Sequence, residues 1–136
     1  MQIVRHKYFN MAYSISYQTD GGVVTTYSGI VTDDDMFSCA KERTSSSDNL
    51  KKYKYFLSDF TDVEKFNVSS SAIKTIAHLT VQASKVNKNL IIVVIVPTDL
   101  EYGMSRMWAA YSDESNLKLH MTRTKEEALE YLNEQL

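Results

Sequence analysis

The sequence has 136 residues, of which 43% are hydrophobic and 24% charged, and its net charge at pH 7 is −2. This length and composition are typical of one soluble globular domain with a substantial core. The charge balance disfavours a nucleic-acid-binding surface, which normally needs a basic excess. The longest apolar run, residues 90–97, is too short to span a bilayer.

The cysteine and histidine content argues against disulfides and metal sites. Cys39 is the single cysteine, so the chain cannot form an intramolecular disulfide. The three histidines are His6, His78 and His120. They lack the spacing of zinc ligands. We therefore expect a cytoplasmic protein without a metal or another cofactor.

The chain begins with a segment that does not fit the domain pattern. Residues 1–10 contain basic side chains but lack the apolar stretch of a secretory signal. We interpret them as a leader or a loose arm, and either Met1 or Met11 can be the native start. A single domain is then expected over residues 11–136.

The remaining chain alternates between strand and helix patterns. Strands are predicted at 12–18, 23–31, 53–60, 90–96 and 117–123, with a hairpin turn at 19–22. Helices are predicted at 32–44, 69–87, 98–113 and 124–136, and a loop at 45–52. The order ββαβαβαβα predicts an α/β fold: a mixed, mainly parallel sheet of about five strands with helices packed on its faces.

Three of the four helix starts carry a threonine followed three residues later by an acid. These stretches are TDDD at 32–35, TDLE at 98–101 and TKEE at 124–127. They match the capping box, in which the hydroxyl and the acid satisfy early backbone N–H groups. The helix at 69–87 instead starts with serines and has no acid in its first turn.

The serine run Ser69, Ser70 and Ser71 is therefore the most informative local feature. One serine can simply cap the helix. Alternatively, the uncompensated helix start binds an anion, either a ligand phosphate or a phosphoryl group on one of these serines. Asp62 and Glu64 precede the run and are candidates to fold back onto it.

The helix at 98–113 offers a second candidate surface. Tyr102 and Arg106 share one face, and these residue types are enriched in binding hot spots. Trp108 belongs to a methionine-rich face that packs on the core or borders a ligand cavity. Gly103 inside the helix predicts that another group approaches closely there. We find no catalytic motif such as GxSxG, GxGxxG or a Walker A loop.

Four stretches resemble a known family. They are GIVTDDDM, LSDF with Asp59, VPTDLEYGMSRMW and EEALEYL. Asp59, like Tyr102, Arg106 and Trp108, is a candidate to contact a partner or ligand. Together the four stretches are similar to the SpoIIAA-like (STAS/Sec14-like) family of small uncharacterised bacterial proteins, and more distantly to the STAS-domain anti-anti-sigma factors. The resemblance covers most of residues 11–136.

The resemblance implies a non-enzymatic regulatory module that binds a protein partner. In the anti-anti-sigma factors, a phosphorylated serine lies in an Asp-Ser-Ser-Gly-like motif, and the matching stretch here is NVSSSA. This chain has Asn67-Val68 where the aspartate is expected and Ala72 in place of the glycine. The likeness to Sec14-type carriers implies an alternative, which is binding of a small apolar ligand or lipid in a cavity. The oligomeric state stays open, and a homo-oligomer is compatible with the sequence.

Overall fold

The structure, a computed structural model, describes residues 2–7, as backbone only, and residues 11–136. Its strands are β1 (Gln2–Lys7), β2 (Tyr13–Gln18), β3 (Gly22–Thr32), β4 (Tyr55–Asn67), β5 (Ile91–Ile95) and β6 (Lys118–Thr122). Its helices are α1 (Asp33–Thr44), α2 (Ser47–Leu50), α3 (Ser70–Val86), α4 (Asp99–Tyr111) and α5 (Lys125–Gln135). A 3-10 turn at Asp113–Ser115 follows α4.

In the described part of the chain, six strands form one sheet, and their order across the sheet follows the chain. β1, β2 and β3 pair antiparallel. β3, β4, β5 and β6 run parallel, with helices in the connections between them. The predicted α/β fold with a mixed, mainly parallel sheet is confirmed.

Helices cover both faces of the sheet, but unequally. One face packs against α1, α3 and α4, which contribute Cys39, Ala77 and Trp108 to the larger core. The other face packs against α5, which buries Ala128 and Leu132 over β4 and β5. Every residue of β5 is buried, which explains why its sequence is continuously apolar rather than alternating.

Three local predictions differ from the structure. Residues 2–7, which we had assigned to a leader or loose arm, form β1 because their backbone pairs with β2; residues 1 and 8–10 lie outside the described residues. The sheet accordingly has six strands rather than about five. The predicted loop at 45–52 contains α2, which is too short for a periodic sequence signal. β4 continues to Asn67 because it pairs with the outer half of β3.

Gly103 does not mark a close contact. A Cβ atom added at Gly103 would meet no atom within 4 Å, because the residue lies on the exposed side of α4. The expectation that another group approaches there is therefore wrong.

Candidate functional site

The starts of four helices lie where parallel strands end. α1 follows β3, α3 follows β4, α4 follows β5 and α5 follows β6. The carboxyl ends of parallel strands meet at one edge of a sheet, and α/β proteins commonly bind ligands there. We call this edge the rim.

Two of the predicted capping boxes are complete. Thr32 caps α1, and its backbone N–H donates a hydrogen bond to the carboxylate of Asp35. Thr98 and Glu101 make the same reciprocal arrangement at the start of α4. Thr124 caps α5 by accepting a hydrogen bond from the backbone of Glu127. The acids at these three helix starts therefore have a structural role.

Asp33 supplies the carboxylate that α3 lacks in its own first turn. Ser69 is the N-cap of α3, and its hydroxyl accepts a 3.1 Å hydrogen bond from the backbone N–H of Ala72. The Ser69 backbone N–H donates to Asp33 Oδ1, and the Ser69 hydroxyl donates to Asp33 Oδ2, both at 2.8 Å. One side chain from α1 thus holds the first residue before α3 by two hydrogen bonds.

This contact corrects one premise of the sequence analysis. The start of α3 was expected to lack a neighbouring protein carboxylate, but Asp33 occupies that place. Asp62 and Glu64 remain exposed on β4. Ser69 and Asp33 border a shallow groove on the rim, which is lined by Thr32, Asp33, Asp34, Asn67, Val68 and Ser69. Ser70 and Ser71 are exposed beside it.

The other candidate contact residues, Asp59, Tyr102 and Arg106, make no contact with Ser69 or Asp33 among the interactions of the described residues. Asp59 accepts hydrogen bonds from the backbone and the hydroxyl of Thr61. The ring of Tyr102 is covered by the guanidinium of Arg123, whose carbon lies 4.2 Å from the ring centre. Arg106 is exposed. Tyr102 is thus half-buried and covered on one ring face, whereas Arg106 is free to contact a partner.

Trp108 lines a partly open cavity rather than the exposed face of α4. The cavity lies between the sheet and helices α1, α3 and α4, with Phe56, Ile92, Ala40 and Ile76 among its walls. The space open to the centre of a water molecule measures about 70 Å³. Trp108 is buried and donates its indole N–H to Thr80 at 3.0 Å. This donor is thus satisfied within the wall.

Arg43 brings a positive charge to this apolar cavity. Its Nη1 donates to Ser58 Oγ at 3.1 Å, and its guanidinium carbon lies 4.8 Å from the centre of the Phe56 ring. Its Nε is buried and has no hydrogen-bond partner among the described residues. The described residues also place no carboxylate within 4.0 Å of the guanidinium. The ion pair found among them is between Arg123 and Asp99.

Two tyrosine phenols near Arg43 are neutral at physiological pH. Burial raises the pKa of Tyr27 well above its usual value. Burial, with nearby Tyr53 and Glu42, raises the pKa of Tyr17 to about 12. These phenols therefore supply no counter-charge to the arginine.

Sequence reasoning missed two features. One is Arg43, and the other is the contact of Asp33 with Ser69. A signal for Arg43 was present, because Met36, Ala40 and Arg43 follow the i, i+4, i+7 spacing of one helix face. An arginine in such an apolar stripe indicates either a partner charge or a site. The Asp33–Ser69 contact joins residues 36 positions apart, so no local pattern indicates it.

Two kinds of feature are not found in the part of the chain that the structure describes. No group of three or more His, Cys, Asp or Glu side chains there is arranged to hold a metal ion. Within the same residues, no helix has both the length and the apolar character needed to cross a membrane.

Solved structures share this fold. The structure of the anti-sigma factor antagonist SpoIIAA in its unphosphorylated form matches with a TM-score of 0.61 and 11% identity, covering 90% of this chain and 98% of that one. The structure of the Bacillus cell fate determinant SpoIIAA in the phosphorylated form matches with a TM-score of 0.55 and 14% identity, covering 89% and 99%. No protein-family model matches the sequence, and no curated protein does. The chain therefore has the STAS fold of SpoIIAA, as the sequence analysis expected.

Proposed function

We propose that this protein is a non-enzymatic, cytoplasmic regulatory module that binds a protein partner through its rim, and that Ser69 controls the binding. The observation that carries this proposal is the paired hydrogen bonding of Ser69 to Asp33 across two helix starts. The shared fold supports it, because SpoIIAA is described as an anti-sigma factor antagonist with unphosphorylated and phosphorylated forms.

The chemistry of the pair makes it sensitive to phosphorylation. A phosphoryl group on Ser69 carries a charge of about −1.5 to −2. It would replace the hydroxyl proton that now bonds Asp33 Oδ2 at 2.8 Å. Two unit charges about 4 Å apart repel by about 1 kcal/mol even in water. The Asp33 carboxylate is therefore expected to leave Ser69, and the groove changes both charge and shape.

The neighbouring groups set the size of this effect. Asp34 also lines the groove and is exposed, so it adds to the repulsion. The positive end of α3 favours the phosphoryl group, by about 0.3 to 1 kcal/mol. The phosphoryl group therefore stays at the helix start, and Asp33 is the group that moves.

The test begins with the protein purified from the cells that make it. Phosphosite mapping is expected to find modified Ser69, and cross-linking in the same cells identifies the partner. The dissociation constant is then measured with purified partner for Ser69→Ala, Ser69→Glu and the control Ser47→Glu, since Ser47 is an exposed serine at the start of α2. Ser69→Glu is expected to weaken binding at least tenfold, whereas Ser47→Glu leaves it unchanged. Wild-type affinity in Ser69→Glu would refute the switch.

The cavity supports a second candidate function, which is the binding of a small apolar ligand. Its walls are mostly apolar and include the flexible side chains of Met36 and Met104, which adapt readily to a guest. The free volume of about 70 Å³ is smaller than the roughly 150 Å³ of an apolar cavity that takes up benzene. A single-ring guest therefore enters only if wall side chains such as these methionines shift, and a two-chain lipid is too large. Titration with toluene, followed through the fluorescence of Trp108, tests this candidate, and an unchanged spectrum at saturating toluene would refute it.

A further inference from the structure

From the position of Arg43 we infer that the cavity binds a small organic acid, with the acid's carboxylate on the Arg43 guanidinium and its apolar body against the cavity walls. This inference rests on the second candidate function, because it assigns a chemical class to a ligand of the same cavity. It does not depend on the Ser69 switch.

The hydrogen bonds of Arg43 leave one edge of its guanidinium for a ligand. Nη1 is used by Ser58, whereas neither Nε nor Nη2 bonds a described residue. Nε is shielded from any water-sized probe, so a ligand reaches it only when the arginine side chain shifts. The Nε and Nη2 N–H groups lie side by side and point the same way. A carboxylate matches this pair with two parallel hydrogen bonds.

The electrostatics select an anion over a neutral guest. Arg43 is half-buried, with its Nε fully shielded from solvent. A charge withdrawn from water in this way normally has a carboxylate partner, and none of the described residues gives Arg43 one. The charges that act most strongly on Arg43 are those of phenols and of the Cys39 thiol, and burial keeps the Tyr17 and Tyr27 phenols protonated. The Glu42 carboxylate acts on Tyr17 but makes no ion pair with Arg43. A bound carboxylate therefore supplies the missing counter-charge.

One other charged residue lines the cavity and has to be considered. The carboxylate of Glu101 is buried and accepts hydrogen bonds from the backbone and hydroxyl of Thr98. It is committed to the start of α4 and lies more than 4.0 Å from the guanidinium, since no ion pair joins the two. The ligand's carboxylate is expected on the Arg43 side, with only its apolar part turned toward α4.

The probe is benzoate, which combines a carboxylate with a single small aromatic ring. Its neutral matches are benzamide, of the same shape, and toluene, which lacks the polar group. Trp108 is the one tryptophan of the chain and lines the cavity, so its fluorescence reports binding directly. Isothermal titration calorimetry gives an independent dissociation constant.

Wild-type protein is expected to bind benzoate at least tenfold more tightly than benzamide. Arg43→Met should reduce this preference to less than twofold, and Arg43→Lys, which lacks the paired N–H edge, should weaken benzoate binding at least threefold. Lys41→Met removes an exposed positive charge from the same helix and should leave the preference intact. Ser105→Met, which fills the cavity from α4, should abolish the binding of all three probes.

The outcomes that overturn the inference separate it from the function on which it rests. Equal affinities for benzoate and benzamide in the wild-type protein would reject the acid as the ligand class while the cavity remains a ligand site. Failure of benzoate, benzamide and toluene alike would reject both statements. The comparison of benzoate with benzamide in the wild-type protein needs no substitution. It therefore tests the inference even if an Arg43 variant does not fold.

Discussion

Substitution of Asp35 tests how the first helix is attached to the sheet. The carboxylate of this buried residue accepts hydrogen bonds from the backbone N–H of Thr32 at 2.7 Å, from the Thr32 hydroxyl at 3.0 Å and from the backbone N–H of Ala12 at 3.0 Å. Asp35→Ala removes all three. The loss of the capping box costs about 1 kcal/mol, and a buried N–H left without an acceptor costs about 1 to 3 kcal/mol. The expected loss in the free energy of unfolding is therefore about 2 to 4 kcal/mol.

The assay is urea unfolding followed by circular dichroism and Trp108 fluorescence, with a thermal melt as a second measure. For a domain of this size, the loss corresponds to a fall in Tm of roughly 8 to 16 °C. Asp34→Ala is the matched control, because Asp34 lies in the same helical turn but is exposed. It should cost at most about 1 kcal/mol, through the helix dipole. If the free energies of unfolding of Asp35→Ala and Asp34→Ala differed by less than about 0.5 kcal/mol, the reasoning would be refuted.

Four further substitutions test a helical glycine, stability at alkaline pH and two buried serine hydroxyls. Gly103→Ala should raise the free energy of unfolding by about 0.5 to 1 kcal/mol, because a helical residue in open space gains from the methyl group; no gain would show a hidden constraint on α4. Burial and the adjacent Asp20 carboxylate raise the pKa of Tyr55 to about 12, so its contribution to stability is intact below pH 10 and is lost as the pH rises from 10 to 12. Urea midpoints of Tyr55→Phe should therefore fall less steeply over that range than those of the wild type, and parallel curves would contradict this. Ser112→Ala should stabilise by about 1 kcal/mol because its buried hydroxyl has no partner. Ser115→Ala should destabilise by a similar amount because its hydroxyl accepts a backbone hydrogen bond; the same sign in both variants would refute this.

The sequence predicted those parts of the fold whose causes are local. Capping at Thr32 and Thr98 depends on residues three positions apart, so the pattern TDDD or TDLE contains the whole interaction. The strand at Ile91–Ile95 is equally local, because five consecutive β-branched residues suit a strand that is buried on both faces. These features require no knowledge of what lies elsewhere in the chain.

The parts that were not predicted depend on pairing between distant segments. Residues 2–7 are a strand because β2 lies beside them. The extension of β4 beyond Phe60 has mostly exposed side chains, so only its pairing with β3 makes it a strand. The Asp33–Ser69 contact likewise needs two neighbouring strands to bring two helix starts together. Local propensity carries no information about any of these arrangements.

Hydrogen bonding distinguishes buried polar groups with a structural role from those available for a function. Asp35, Glu101 and Thr122 are buried, and each has a hydrogen-bond partner within the fold. Arg43 Nε and Ser112 Oγ have none among the described residues, and of these two residues only Arg43 lines the cavity. An unpartnered buried group costs stability, so the fold does not need the Arg43 Nε.

Arg43→Met therefore distinguishes a structural arginine from a ligand-binding one. The substitution removes the hydrogen bond to Ser58, worth about 0.5 to 1.5 kcal/mol, and the contact with the Phe56 ring, worth about 0.5 to 1 kcal/mol. It also removes the unpartnered Nε, which costs about 1 to 3 kcal/mol. Urea unfolding should give a stability within about 1 kcal/mol of wild type, while the preference for benzoate over benzamide is lost. A variant that loses several kcal/mol would show that Arg43 is retained for the fold, because stability and acid binding would then depend on the same contacts.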